Sequence, residues 1–403
     1  MANTILTHQM IAREAAAMFE EEGTFIKHIN RDREKDIGRD VSGYTSGTSV
    51  KIKIPPTPVV YSGASFAGGG SAPDQVETYE TLTVDTQKHV PLTFTATQKA
   101  MELADFKERF LKPSIQALVS VTEADLMVKA YREIPAVLGT AGTVPTTIAP
   151  FAAARGAMNR QMAPTGMRYS LVSSDVNTNM VAADRVLFRP DVSNQYTTGT
   201  MGNTQGFGFF ENQSLPVHTN GTQASWTING AGQTGSTLNI GGLTNGQTIL
   251  RGTSFTIPAV REVHPITGAA YPAANLRTFV VTADFTASGT TGSIGIYPPI
   301  TPTTSSLVGT VNASPANGAT CTMFGAASAA LRQNLTFQRN AFAAAFVPLP
   351  VLASCEGYTF KTDNFAIRVM TFGNGQSDTE STRIDVLYGF SKVRPGHAAR
   401  VSE

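Results

Sequence analysis

The side chains that most often carry out chemistry form no catalytic or metal-binding pattern in this sequence. A phosphate-binding loop of the G-x-x-x-x-G-K-[ST] type and a nucleophile elbow of the G-x-S-x-G type are both absent. Two cysteines are too few for a zinc site built from thiolates, and no histidine lies at metal-ligand spacing from another. We therefore predict no catalytic residue, no metal, no cofactor and no enzymatic activity. The six histidines are His8, His28, His89, His218, His264 and His397.

Two smaller features could act outside catalysis. Glu20, Glu21 and Glu22 lie in a predicted N-terminal helix, after its apolar residues, and are a candidate partner site, although a solvated helix end also explains them. Cys321 and Cys355 could pair with each other. We expect two buried thiols instead, because disulfides rarely persist in a reducing cytosol.

Composition indicates a folded protein with little charge on its surface. The 403 residues are 41% hydrophobic, and only 15% are charged, against a usual share of about 25%. With a net charge of +1, the chain lacks the excess of Lys and Arg that attracts nucleic acid. No signal peptide is visible, and the longest apolar run, 341–354, is too short to span a membrane. One interpretation is that partners cover much of the surface.

The front of the sequence predicts extended and rod-like elements. Residues 7–31 have helical spacing, and Gly23 is expected to stop or kink that helix. Alternation in 49–54 and 81–84 predicts two strands, joined by the Gly- and Ser-rich loop 62–71. A long helix is expected to begin near Pro113. The two strands form an arm that needs a neighbour to lie on, since a lone hairpin cannot bury both faces.

The second half is rich in strands and turns. Only seven charged residues lie in 220–350, where turn pairs such as Asn229-Gly230 recur between short strands. This pattern of short strands and turns predicts a small β-barrel or sandwich, inserted before apolar strands near 365–370 and 384–390. The fold class is therefore α+β, and the extended arm indicates self-association.

Several stretches, in this order along the chain, resemble the major capsid (coat) proteins of tailed bacteriophages, in the Salmonella short-tailed phage branch (P-22 type). The similar segments are the arm residues 47–56 (GTSVKIKIPP) and 90–94 (VPLTF), the helix lead-in 103–113 (LADFKERFLKP), Gly206-Phe207 with 212–216 (NQSLP), and 386–390 (VLYGF) with Arg394-Pro395. The inserted region is placed by position and β texture only.

The resemblance implies the Hong Kong 97-type capsid fold with an inserted β-domain. It divides the chain into an N-terminal arm (1–39), an extended loop (40–90), a peripheral domain with a spine helix (91–139) and an axial domain (140–219). The inserted β-domain (220–345) and a return to the axial and peripheral domains (346–403) follow.

The resemblance also implies a function. The chain would self-assemble as a homo-oligomer, in hexamers and pentamers, into the icosahedral shell of a virion. The expected partners are a scaffolding protein, a portal protein and packaged double-stranded DNA, which is bound without sequence specificity. No interaction with a membrane is expected. The shell would form in the host cytoplasm and expand on packaging. Glu14 and Glu20 to Glu22 would contact the scaffold, and Lys51, Lys53, Gly68, Gly69 and Gly70 would belong to the inter-subunit extended loop.

Two alternatives come from other functional classes. A tail or decoration protein that binds a surface glycan would suit the Thr-, Gly- and Asn-rich middle, but gives no role to the arm and the long helix. A hydrolase would need a nucleophile or metal pattern that the sequence does not contain.

Overall fold

The computed structural model describes most of the chain in two compact units. The described residues are 8–32, 40–41, 44–45, 49–56, 58, 60, 64, 77–95, 112–183, 201–303, 309–361, 366–374 and 379–403. The first unit comprises 1–52, 79–127 and 342–393, and the second comprises 53–78, 128–341 and 394–403. Gly68, Gly69, Gly70 and the predicted helix lead-in 103–111 lie outside the described residues.

The predicted N-terminal helix is broken at Gly23, as expected. Helix α1 (His8–Glu22) ends there and α2 (Thr24–His28) begins after it. Gly23 has φ −75° and ψ 103°, which is extended backbone and cannot continue a helix.

The long helix predicted at Pro113 is α3 (Lys112–Tyr131). Its 20 residues span about 30 Å at 1.5 Å per residue. The predicted apolar stripe is buried in full: Ile115, Leu118, Val119, Thr122, Leu126 and Tyr131. Burial of this stripe confirms the amphipathic reading of the helix.

The first unit contains one large antiparallel sheet. Its strand order is β20 (Glu356–Lys361), β21 (Ala366–Asn374), β22 (Thr379–Lys392), β4 (Thr78–Thr95) and β3 (Ser49–Ile54), and β19 (Phe342–Phe346) also pairs with β22. Strand β3 lies at an edge, as the prolines that follow it predict. Two short strands, β1 (Asp40–Val41) and β2 (Tyr44–Thr45), pair separately.

The short strand expected at 81–84 is part of a longer strand of 18 residues, β4, which also includes 90–94. The 14-residue strand β22 pairs with it continuously, apart from one register shift at Tyr388/Gly389. Pro91 does not end β4 because this long partner supplies hydrogen bonds on both sides of it.

The second unit contains a mixed sheet covered by two helices. The strand order is β5 (Val137–Gly139), β23 (Ala398–Ser402), β18 (Ala330–Gln338), β6 (Arg168–Val172), β8 (Phe207–Glu211) and β7 (Asn203–Thr204), and β9 (Val217–Thr219) pairs with β18. Helices α4 (Ala149–Arg160) and α5 (Ser174–Ala183) supply Phe151, Met158, Val176 and Met180 to its core.

The predicted inserted β-structure is a closed barrel. Its strand order is β10 (Trp226–Ile228), β11 (Gly235–Gly241), β16 (Thr291–Ile300), β14 (Leu276–Val281), β13 (Ser254–Arg261) and β17 (Thr320–Met323). A short pair, β12 (Thr248–Ile249) with β15 (Phe285–Thr286), lies outside it. The barrel confirms the α+β class with an inserted all-β element. Within the predicted interval 220–345, β18 and β19 belong to the other two sheets.

The backbone leaves the mixed sheet and returns to it at neighbouring points. The N–H of Asn220 donates to the carbonyl of Ala329 at 2.9 Å, and the N–H of Ser328 donates to that of Gly221 at 3.0 Å. The barrel is therefore inserted at one place in the second unit.

Both cysteines are free thiols, which agrees with the expectation for their redox state. Cys321 is buried among barrel residues, and burial raises the pKa of its thiol to about 12. The expectation that both would be buried is wrong for Cys355, which is half-buried because it sits in the turn before β20. In the described part of the chain no helix could cross a membrane, and no group of His, Cys, Asp and Glu there is placed to hold a metal ion.

Candidate assembly surfaces and the barrel junction

The candidate scaffold-contact residues lie on α1. Glu14, Glu20, Glu21 and Glu22 are all within its helical span. The helix packs against β20 and β21 of the first unit, and the face it buries consists of Ile11, Ala12, Ala15 and Ala16. At its start, Nε2 of His8 is 2.9 Å from Oγ1 of Thr371 on β21.

The short helix α2 is attached to α3 by a buried carboxylate. Glu123 Oε1 accepts the backbone N–H of Phe25 at 2.6 Å and that of Ile26 at 3.3 Å. Gly23 has no side chain to cap α2, so Glu123 provides the capping oxygen from another helix.

Two side-chain contacts link β3 to the residues around the start of β4. Lys51 Nζ lies 4.4 Å from the centre of the Tyr79 ring. Lys53 Nζ lies 3.0 Å from Oε2 of Glu77, and both side chains are exposed. Ile52, between the two lysines, is buried, which confirms the predicted alternation of β3. The structure thus places Lys51 and Lys53 together on one exposed face.

The barrel joins the mixed sheet through a buried arginine. Arg400 on β23 is 1% exposed. Its guanidinium donates to the carbonyl of Gly252 at 3.1 Å and to Oγ of Ser254, and lies 5.7 Å from the centre of the Tyr131 ring. Ser254 in turn donates to the carbonyl of Pro135 at 3.2 Å. Burial lowers the pKa of Arg400 to about 9.

An ion pair joins the barrel to α4. Glu262, which follows β13, is buried and accepts a hydrogen bond from Nε of Arg160 at 2.5 Å. Arg277 on β14 lies 3.6 Å from the other oxygen of Glu262, and burial lowers the pKa of Arg277. A third pair joins Arg251 to Glu133. Pairs of opposite charges, partly removed from water, therefore stabilise the position of the barrel. Removing one member of a pair would leave the other charge buried and without a counter-charge.

Sequence reasoning missed the residues of these junctions. Glu123, Glu262 and Arg400 are single charged residues in otherwise ordinary stretches, so neither spacing nor composition distinguishes them. The sequence contains a weak signal for Glu262 and Arg277, because charged residues are scarce in 220–350. A charged residue in such a region is rarely fully buried unless it is paired, so each one is a candidate for an ion pair.

A protein-family model described as "P22 coat protein - gene protein 5" matches residues 43–400 of the chain. No curated protein matches it.

The chain is also similar to solved phage structures. For Mycobacterium phage Che8 the TM-score is 0.48 at 13% identity, covering 94% of this chain and 90% of that one. For the capsid of Ralstonia phage GP4 the TM-score is 0.43 at 7% identity, covering 94% and 90%. For the mature capsid of bacteriophage PhiM1 the TM-score is 0.41 at 10% identity, covering 88% and 82%.

The family assignment rests on the sequence match, which covers most of the chain. Membership also gives the chain the Hong Kong 97-type capsid fold that the sequence resemblance implied. The chain therefore belongs to the P22 coat protein family and is a major capsid protein that forms the shell of a tailed phage.

Proposed function

We propose that this coat protein assembles through hexamers and pentamers of identical subunits into an icosahedral shell around double-stranded DNA. The family match over residues 43–400 carries the proposal. A scaffolding protein directs a precursor shell in the host cytoplasm, a portal protein forms part of it, and the shell expands during packaging. The protein acts as a structural subunit without enzymatic activity.

Sedimentation of the chain, expressed alone and together with a candidate scaffolding protein, tests this assembly. We expect fast-sedimenting particles of uniform size only when the scaffold is present. If the scaffold changes neither the amount nor the uniformity of these particles, the scaffold-directed step is wrong.

Scaffold binding is assigned to α1. Glu14 and Glu20 to Glu22 give this helix an acidic character that suits a basic partner helix. We expect Glu20→Lys, Glu21→Lys and Glu22→Lys together to reduce shell yield without lowering the melting temperature of the subunit. Glu356→Lys, at an exposed position on β20, is the matched control. Normal yield from the triple variant would contradict the assignment.

The extended arm (40–90) is proposed to lie over a neighbouring subunit. Lys51 and Lys53 share an exposed face, and exposed ion pairs of the Lys53–Glu77 kind add little stability to the subunit itself. We expect Lys51→Glu with Lys53→Glu to weaken assembly and leave the melting temperature nearly unchanged. Gly68, Gly69 and Gly70 are proposed to belong to the part of the arm that contacts the neighbouring subunit.

Packaged DNA is proposed to contact an inner surface of the shell that carries little net charge. A net charge of +1 provides few phosphate contacts, so DNA would be neither bound by sequence nor held tightly. We expect the isolated subunit to show no affinity for a DNA duplex above 150 mM salt, measured by fluorescence anisotropy. Sequence-dependent binding would overturn this part of the proposal.

The division into arm, extended loop, peripheral, axial and inserted domains is likewise proposed, and the barrel offers a test of it. Because Gly221 and Ser328 are hydrogen-bonded, residues 222–327 can be replaced by a short linker. Loss of soluble monomer would assign the barrel to folding, and soluble protein that no longer assembles would assign it to contacts within the capsomer. Normal assembly of the deletion variant would contradict both roles.

A further inference from the structure

Four Asn-Gly pairs lie in or beside the barrel, and their asparagines are Asn220, Asn229, Asn245 and Asn317. An asparagine followed by glycine loses ammonia more readily than one followed by a larger residue, because glycine has no side chain to hinder the reaction. A fifth pair begins at Asn374, but the glycine that follows it lies outside the described residues.

The reaction at such a pair needs a free backbone nitrogen. The glycine nitrogen loses its proton and bonds to Cγ of the asparagine, while the bond from Cγ to Nδ2 breaks and Nδ2 leaves as ammonia. Water then opens the cyclic imide at one of its two carbonyl carbons, which gives aspartate or isoaspartate. A hydrogen bond donated by the glycine N–H slows the first step, because this bond must break before the nitrogen can attack.

Two of the four pairs are protected by backbone carbonyls. The N–H of Gly246 donates to the carbonyl of Ala287 at 2.8 Å, and the N–H of Gly318 donates to the carbonyl of Ile228 at 2.8 Å. Ile228 belongs to β10, and Ala287 directly follows β15. These two acceptors stay in place as long as the barrel is folded.

In a third pair the asparagine side chain itself is held. Asn220 is buried, and its Nδ2 donates to the carbonyls of Phe324 and Ala326 at 2.9 Å and 3.0 Å. Its Cγ therefore cannot turn towards the next nitrogen without the loss of both hydrogen bonds.

The fourth pair depends on one side chain for its protection. The N–H of Gly230 donates to Oδ1 of Asn317 at 2.7 Å. Asn229 and Gly230 are exposed in the turn between β10 and β11, and within the described part of the chain the side-chain amide of Asn229 has no hydrogen-bond partner. The reacting carbon is therefore accessible, and the side chain of Asn317 occupies the nitrogen that would attack it.

Gln233 stabilises the same turn without contacting this N–H. Its Nε2 donates to the carbonyls of Asn229, Gly230 and Asn239 at 3.0 Å, 3.1 Å and 3.0 Å, and its Oε1 accepts the N–H of Asn239 at 2.6 Å. The shape of the turn is thus fixed by Gln233, whereas the nitrogen of Gly230 is protected by Asn317.

We propose that Asn229 is a site of self-modification by deamidation, and that the side chain of Asn317 keeps the reaction slow in the native subunit. Conversion of Asn229 replaces a neutral amide with a carboxylate and changes the net charge of the chain from +1 to 0. Isoaspartate also adds a methylene group to the main chain of the turn. Among the four pairs of the barrel region, Asn229 is the first to react.

Peptide mass spectrometry of the full chain, incubated in mildly alkaline buffer, measures conversion at each asparagine. Asn317→Ala removes the acceptor of the Gly230 N–H, and we expect deamidation at Asn229 to become at least fivefold faster. That factor corresponds to about 1 kcal/mol, the net contribution of one hydrogen bond. Asn317→Asp keeps an acceptor oxygen and is the matched control, in which Asn229 should react at the wild-type rate.

The rate at Asn245 distinguishes a local effect from a general one. It should not change in Asn317→Ala, because a backbone carbonyl protects that pair. Equal acceleration at both sites would show that the barrel has loosened as a whole, and an unchanged rate at Asn229 would show that Asn317 does not protect it. Either result would overturn the role of Asn317.

The wild-type protein provides a test that needs no variant. Asn229 should be converted before Asn245, and the reverse order would contradict the choice of Asn229 as the first site. Both measurements use the isolated subunit, so their outcome does not depend on the proposed assembly.

Discussion

Glu123 accepts the backbone N–H of Phe25 at 2.6 Å, which fixes the second N-terminal helix to the long helix α3. The two residues are 98 positions apart, and both side chains are buried. A buried carboxylate is stable here because the free N–H groups at a helix start satisfy it. The N-terminal segment is thus anchored to the first unit at α2, which leaves α1 to carry the proposed partner contacts.

Removing this carboxylate should loosen α2 from α3, because Glu123 contacts only α2, whereas α1 packs separately against β20 and β21. Glu123→Ala leaves two N–H groups without their acceptor, and we expect the free energy of unfolding to fall by about 1–3 kcal/mol. Trypsin should cleave faster after Lys27, which is exposed on α2. Urea unfolding and mass spectrometry of the cleavage products measure the two effects.

Glu123→Gln is the matched control for this prediction. Its side-chain oxygen can still accept the N–H of Phe25, so its loss of stability and its cleavage rate should lie between those of the wild type and Glu123→Ala. Equal cleavage of all three proteins would show that Glu123 does not hold α2.

Close packing at Gly252 should make the barrel junction sensitive to a single methyl group. Gly252 has φ +94°, and a Cβ there would lie 3.1 Å from both Arg132 Cγ and Tyr131 Cε2. A strained backbone of this kind costs on the order of 1–3 kcal/mol, to which the crowding adds. We expect Gly252→Ala to lower the urea concentration at the midpoint of unfolding. The fluorescence of Trp226, the only tryptophan in the sequence, measures this transition.

Gly246→Ala isolates the contribution of packing. Gly246 has φ +81° but nothing within 4 Å of a Cβ, so the substitution adds backbone strain without crowding. Gly252→Ala should be the more destabilising of the two. If Gly246→Ala costs as much or more, the approach of the barrel to α3 is looser than the structure has it.

Acid should weaken the second unit through His218. Burial lowers the pKa of this histidine to about 3, and the charges of Arg400 and Arg132 add to the effect, while Asp284 opposes it. Because the unfolded chain takes up a proton near pH 6.5 and the native state does not, stability is lost as the pH falls from about 6.5 towards 3. We expect a slope of up to about 1.4 kcal/mol per pH unit from this residue.

The free energy of unfolding of His218→Gln, measured from pH 7 to pH 4, checks this prediction. The variant should have a shallower slope than the wild type, whatever its stability at pH 7. His89→Gln, at an exposed position on β4, is the control and should keep the wild-type slope. A parallel profile for His218→Gln would contradict the proposed role of the buried ring.

The sequence predicted the local elements better than the long-range contacts. Pro113 and the stripe from Ile115 to Tyr131 defined α3 because helix starts and amphipathic periodicity are local signals. The length of β4 was missed because it depends on pairing with β22, almost 300 residues away. The closed barrel was expected only as a barrel or a sandwich, since short strands and turns suit both.

The junction residues could not be found from the sequence. Arg400 is buried because Gly252, Ser254 and Tyr131 meet around it, and these come from distant parts of the chain. Met167 likewise looks ordinary, because the hydrogen bond that its carbonyl accepts from the N–H of Arg339 joins distant parts of the chain.

Electron microscopy of the chain expressed together with a candidate scaffolding protein tests the central claim most directly. The account predicts closed icosahedral shells, and a reconstruction should show the arm at 40–90 over a neighbouring subunit and the barrel as one inserted domain. A uniform population of small discrete oligomers, without shells or shell fragments under any condition, would contradict assembly as a capsid protein and favour a glycan-binding tail or decoration protein.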